Sequence, residues 1–194
     1  MESITNNEML VVLSIFKSPE KSYNANNLSK HLNISSMGAL KIVKRLEKEG
    51  ILFSKKIGKA NIYKINFKND YSIDYLKFAI KREARQAHPY VRRWLTEIKS
   101  LTNAKGAILF GSVLRKFKEA NDIDVLLLTD KKGFSNLKKQ IEKSNNFNLK
   151  RIHPVYQTEE DFNKNIREED KVVLNAIKGI YAFGEDLFIK ILEK

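Results

Sequence analysis

Hydrophobic and polar positions fall in blocks whose period changes along the chain. Met9, Leu10, Val11, Val12, Leu13, Ile15 and Phe16 form an apolar helical stretch that should end near Ser18-Pro19, because proline has no amide to continue a helix. Residues 25–32 predict a second short helix, with Leu28 and Leu32 four apart on one face. Asn33-Ile34-Ser35 makes a turn, and Ser35 is a good N-cap for a third helix running to about Glu49 and closing at Gly50. At roughly 100° per residue, Ala39, Ile42, Val43 and Leu46 share one side of that helix. Met37, Lys41, Lys44 and Lys48 take the opposite side, with Arg45 at the edge. Residues 51–57 and 61–67 then read as two strands joined at Gly58-Lys59, a hairpin signal.

Asn69-Asp70-Tyr71-Ser72 interrupts this pattern and sets an expected domain boundary near residue 70. Helical spacing resumes over 73–101, divided at His88-Pro89, where His88 reads as a boundary residue and Trp94 as a packing residue. Residues 107–110 form a short apolar strand followed at once by Gly111-Ser112. A nine-residue segment leads to Asp122-Ile123-Asp124, which opens the apolar strand 125–128. A further strand is predicted over 148–156, and the acids from Thr158 to Asp161 mark a helix start. The expected division is 1–70, a connecting helical segment 71–103, and 104–194.

Composition narrows the class. Of the 194 residues, 42% are hydrophobic and 30% charged, which suits a globular protein. Cysteine is absent, so disulfides and thiolate metal sites are excluded. No apolar run approaches the roughly 20 residues of a membrane helix, and the amino terminus shows no signal core, so a cytoplasmic protein without a membrane partner is expected. The net charge of +13 makes nucleic acid the first partner to consider. Residues 1–67 hold 11 basic against 5 acidic side chains, so about half of that excess lies in the first third.

The segment 33–52, NISSMGALKIVKRLEKEGIL, resembles the recognition helix and wing entry of winged helix-turn-helix regulators. The resemblance implies that Ser36, Met37, Lys41, Lys44, Arg45 and Lys48 face duplex DNA in the major groove. Lys55, Lys56 and Lys59, around the hairpin tip, would touch phosphates. Such proteins often read two half-sites, and Phe78, Val91, Trp94 and Leu95 offer apolar surface for a partner, so a homodimer is expected.

The second half carries the chemistry. Alternation along a strand puts the Asp122 and Asp124 carboxylates on one face while Ile123 enters the core. Two hard oxygen ligands side by side suit Mg²⁺ bridging a nucleotide's phosphates. The glycine lets backbone approach a phosphate, and the Ser112 hydroxyl with nearby amides can bind its oxygens. The run 109–128, LFGSVLRKFKEANDIDVLLL, resembles the signature of minimal nucleotidyltransferases of the DNA polymerase β-like superfamily, and 172–192, VVLNAIKGIYAFGEDLFIKIL, resembles the family's closing helix, strand and helix. The resemblance implies that Gly111 and Ser112 contact the triphosphate, ATP by expectation. It gives Asp122 and Asp124 the metal and the catalysis, and Arg115 the phosphates or the helix turn. The family's third carboxylate is not found: Lys150, Arg151 and His153 stand where it would be sought. His153 reads either as a substitute base or as a strand histidine beside Pro154.

The expected fold is therefore α+β: a winged helix-turn-helix, a connecting helix, and a nucleotidyltransferase-like mixed sheet with helices. The expected function is a DNA-binding transcriptional regulator with a nucleotide- and Mg²⁺-binding domain. The alternative is an active nucleotidyltransferase modifying a protein or RNA acceptor, including an antitoxin-like role.

Overall fold

The computed structural model describes residues 4–193, which form ten α-helices and two small sheets. The amino-terminal stretch read for a leader includes residues 1–3, which lie outside the described part. Two compact units divide the chain between Ala79 and Ile80.

In the first unit, α1 (Asn6–Phe16) starts where two residues cap each other. Thr5 Oγ1 accepts from the Glu8 amide at 3.3 Å, and Glu8 Oε2 accepts from the Thr5 amide at 2.7 Å. The helix stops ahead of Ser18-Pro19 as expected. Asn24 and Asn27 repeat the reciprocal cap at the start of α2 (Ala25–Leu32), which ends on Asn33 with a left-handed φ of 53°. The Ser35 hydroxyl accepts from the Gly38 amide at 3.0 Å and so opens α3 (Ser36–Lys48). Gly50, at φ 74°, turns the chain toward β1 (Leu52–Ile57), which pairs antiparallel with β2 (Ala60–Ile65). A bridge from Tyr23 to Tyr63, which nothing in the sequence announces, adds a third short partner to this hairpin. Val11, Val12, Leu28, Ala39, Val43, Leu46 and Ile51 are all buried, each of the larger ones contributing about 1.5–3 kcal/mol relative to exposure.

The next helix, α4 (Asp70–Gln86), begins at the interruption read from the sequence. Its entry is tied to the first unit: Asn66 and Asn69 each donate a side-chain N–H to the Gly50 carbonyl at 3.0 Å, and the Ser72 hydroxyl donates to the Ile51 carbonyl at 2.8 Å. Tyr75 is buried beside Glu8, Glu49 and Arg45, and that burial raises its hydroxyl well above the ordinary tyrosine range. The division of the chain consequently falls inside α4, some ten residues beyond the expected position near 70.

In the second unit, α5 (Pro89–Lys99) starts as read: His88 is the N-cap, its Nδ1 accepting from the Tyr90 amide at 3.2 Å, and Pro89 takes the first helical position. The His88 ring stacks on Phe117 at 3.9 Å, which agrees with a boundary role. Four strands follow: β3 (Gly106–Phe110), β4 (Ile123–Leu128), β5 (Ile152–Gln157) and β6 (Ile180–Phe183), in the order β5-β4-β3-β6. Strand β3 is antiparallel to both neighbours, and β4 and β5 are parallel. Between β3 and β4 lie the single-turn α6 (Val113–Lys116) and a 3₁₀ turn, Phe117–Glu119, where one helix-length spacer was expected. The parallel pair needs a crossover, which α7 (Lys131–Phe147) supplies. Helices α8 (Glu159–Arg167), α9 (Lys171–Ile177) and α10 (Glu185–Leu192) complete the unit.

Apart from Asp124 the central strands carry no polar side chain because both faces are covered, and Ile108, Leu109, Val125, Leu126 and Leu127 have no exposed surface. Val91, Trp94, Leu95 and Ile98 of α5 and Leu137 and Ile141 of α7 belong to one core with Leu109, Val125 and Leu127. Three of the four residues set aside for a homodimer are thus used inside the unit. Phe78, 42% exposed, is the fourth. The strand expected over 148–156 starts later, at Ile152. Asn148 instead closes α7, its Nδ2 donating to Glu97 Oε1 at 3.1 Å and to the Ser144 carbonyl at 3.0 Å. No helix among the described residues is long and apolar enough to cross a membrane.

Candidate functional site

Two groups of side chains stand out, one in each unit. In the first, Ala39, Val43 and Leu46 bury one face of α3, and Ile42 is half-buried beside them. Met37, Lys41, Lys44 and Lys48 are exposed on the other face, as the helical period requires. Ser36 sits toward α2, its Oγ 3.3 Å from the Ser29 Oγ. Arg45 departs from the lysine stripe: its Nη1 donates to Glu8 Oε1 at 3.0 Å and its Nε to Glu49 Oε1 at 2.9 Å. Glu8 is 3% exposed, so this pair anchors α3 to the start of α1. The arginine read as a DNA contact is therefore engaged by two carboxylates, of which spacing along the helix discloses Glu49, four residues on, but not Glu8.

The hairpin tip is a two-residue turn, Gly58-Lys59, with Gly58 at φ 58° and Ile57 opposite Ala60. Lys55, Lys56 and Lys59 are all exposed there. Lys55 and Lys56 are successive strand residues, so they leave opposite faces of the hairpin.

In the second unit, the strand ends bring the predicted residues together. Phe110 pairs with Asp124 across β3 and β4, which sets Gly111 against the Asp124 carboxylate. A Cβ at Gly111 would fall on Asp124 Oδ2, and φ there is 80°, so space and backbone both demand glycine. Ile123 has no exposed surface, while the flanking Asp122 and Asp124 lie on the other side of the strand, Asp124 half-buried. The parallel register of β4 with β5 places His153 opposite Asp124, with its Nδ1 3.2 Å from Asp124 Oδ1. Ligand atoms of Asp122, Asp124 and His153 all lie within 4.8 Å of one another. Of the three residues standing where a third carboxylate would be sought, only His153 reaches this group. Lys150 and Arg151 precede β5, and the Arg151 carbonyl accepts from the Ile123 amide at 3.0 Å.

Ser112 follows Gly111 and is half-buried at the start of α6. Arg115 is exposed and lines a depression of about 140 Å³ with Gly111, Leu114, Asn175, Lys178 and Gly179. Asn175 and Lys178 are a contribution that sequence reasoning missed, because α9 meets β3 only in the folded unit. A basic side chain just ahead of the closing strand was the one available signal.

No family model matches the chain, and no curated protein matches it. Among solved structures it is similar to the adhesin competence repressor AdcR of Streptococcus pyogenes, at 18% identity and a TM-score of 0.39, covering 52% of this chain and 73% of that one. It is also similar to MepR, a transcription regulator of the Staphylococcus aureus multidrug efflux pump MepA, at 10% identity and 0.36, covering 52% and 78%. A third is ZitR of Lactococcus lactis, a zinc-responsive MarR family member, at 10% identity and 0.32, covering 52% and 75%. Likeness at this level carries no functional weight, and function is read from the residues themselves.

Proposed function

We propose that the chain is a DNA-binding transcriptional regulator whose second unit holds a nucleoside triphosphate with a divalent cation. The observation that carries this reading is the crowded end of β3 and β4. Gly111 lies against Asp124, Asp122 shares that face, and Gly111 also lines the depression edged by Arg115 and Lys178. Two carboxylates side by side suit a hard cation, and the residues present fit one. Such an ion would supply charge neutralisation for the phosphates. Asp122 and Asp124 would hold it, Gly111 and Ser112 would admit phosphate oxygens close to the backbone, and Arg115 would pair with them. In the first unit, the exposed Lys41, Lys44 and Lys48 with the hairpin lysines would face the duplex.

Calorimetry of the whole protein with ATP and other triphosphates plus Mg²⁺ or Mn²⁺ tests the second unit. Asp122→Asn and Asp124→Asn should each abolish cation-dependent binding with little change in the melting temperature, since neither side chain is buried in the core and the amide keeps the carboxylate's size. No heat with any triphosphate, and no stabilisation against heating, ends the nucleotide reading. The first unit is tested by anisotropy with duplex DNA between about 50 and 200 mM salt. Replacing Lys55, Lys56 and Lys59 by Ala should flatten the salt slope by about one unit for each phosphate no longer neutralised. An unchanged slope removes the hairpin as a DNA contact.

A second reading is favoured by the exposed side of the cluster, where the His153 imidazole, 69% exposed, is accessible to a further molecule beside Asp124. This is transfer of a nucleotidyl group to an acceptor hydroxyl of a protein or RNA, with release of pyrophosphate. Labelled triphosphates incubated with the protein, a divalent cation and cell extract decide it: a labelled macromolecule establishes the transferase.

A further inference from the structure

The donor set at the end of β4 is mixed rather than all oxygen. Asp122 and Asp124 offer carboxylates, and β5 adds an imidazole, every ligand atom within 4.8 Å of the others. Around an ion bound at about 2.0–2.2 Å, ligand atoms stand roughly 3–4 Å apart, so closing this group on an ion needs only small side-chain rotations. The 3.2 Å between His153 Nδ1 and Asp124 Oδ1 already matches two adjacent ligands. Two features of β5 keep the imidazole there. Its parallel register puts His153 directly opposite Asp124, and Pro154 restricts the backbone of the residue before it to extended conformations. The side chain is 69% exposed, so it can turn onto an ion without disturbing the core.

Mg²⁺ is bound through oxygen, whereas imidazole suits Zn²⁺, Fe²⁺ and Ni²⁺ best, with Mn²⁺ the weakest of the transition series at such a site. We infer that His153 ligates the same cation as Asp122 and Asp124, and that the site takes a divalent transition ion in preference to Mg²⁺. This rests on the cation site proposed above and states which ion it selects.

The test uses the whole protein with Mn²⁺ and inorganic triphosphate, a ligand without nitrogen. Pulsed electron paramagnetic resonance should show the ¹⁴N modulation of a directly bound imidazole. His153→Asp should retain Mn²⁺ but lose that modulation. By calorimetry, the native protein should favour Mn²⁺ over Mg²⁺, and His153→Asp should shrink the preference by at least about tenfold, the lower end of what even outer-shell partners contribute. Bound Mn²⁺ with no nitrogen modulation, or a preference unchanged in His153→Asp, overturns the inference and leaves the Asp122 and Asp124 site standing. Failure of the native protein to bind either cation overturns both.

Discussion

Gly111 and Gly58 share a left-handed backbone and differ in what surrounds them. At Gly58, φ 58°, an added Cβ meets nothing within 4 Å. At Gly111, φ 80°, it meets the Asp124 carboxylate. Gly58→Ala should therefore cost only the backbone strain, about 1–2 kcal/mol, and leave cation and nucleotide binding intact. Gly111→Ala should cost more and also displace Asp124, so binding falls as stability does. Urea unfolding and calorimetry on the two variants separate these effects. Equal costs, with binding preserved in both, would mean that the approach of Gly111 to Asp124 has no role. The sequence marks both positions as glycine, but only the pairing of Phe110 with Asp124 makes one of them part of a site.

At the scale of elements, α3 divides its basic residues between two tasks. Lys44 is exposed, whereas Arg45 reaches back to the buried Glu8 and to Glu49. Arg45→Ala leaves a buried carboxylate without its cation, at a cost of about 1–3 kcal/mol in stability. Lys44→Ala should leave stability within about 0.5 kcal/mol and weaken DNA binding instead. Unfolding curves and DNA titrations on the two variants should give this crossed pattern. Loss of DNA affinity without loss of stability in Arg45→Ala would return Arg45 to the DNA-facing stripe. Helical periodicity places Arg45 at the edge of that stripe correctly. It does not reveal Glu8, which lies on another helix 37 positions earlier in the sequence.

For the whole molecule, the homodimer expectation changes its footing. Val91, Trp94 and Leu95 are buried within the second unit's own core, so they are not surface held in reserve for a partner. What remains in favour of a dimer is the match between paired half-sites and a two-fold axis. Light scattering at micromolar concentration, with and without a palindromic duplex, should show the mass of two chains on the duplex. A single chain in both conditions removes the expectation.

Local signals settled most of the elements. The cap at Ser35, the break at His88-Pro89, the stop before Pro19, the Gly58-Lys59 turn and the apolar runs at 107–110 and 125–128 all follow from rules acting over a few residues, and the structure follows them. The same period-2 rule put Asp122 and Asp124 on one face of β4. The reading was incomplete where a residue's environment is assembled from distant parts of the chain, and for the third member of the cluster it left His153 as one of three candidates. Strand β5 starts at Ile152 because Asn148 is engaged in closing α7 against Glu97. His153 joins the carboxylates only through the parallel register of β4 and β5, set by a crossover of more than twenty residues. Arg45 turns inward only because Glu8 is buried beside it. Sequence alone therefore determined the periodic elements and two of the three members of the cluster. Tertiary structure decided the third member and which basic side chains remain exposed, because register and burial are properties of paired segments that no single segment encodes.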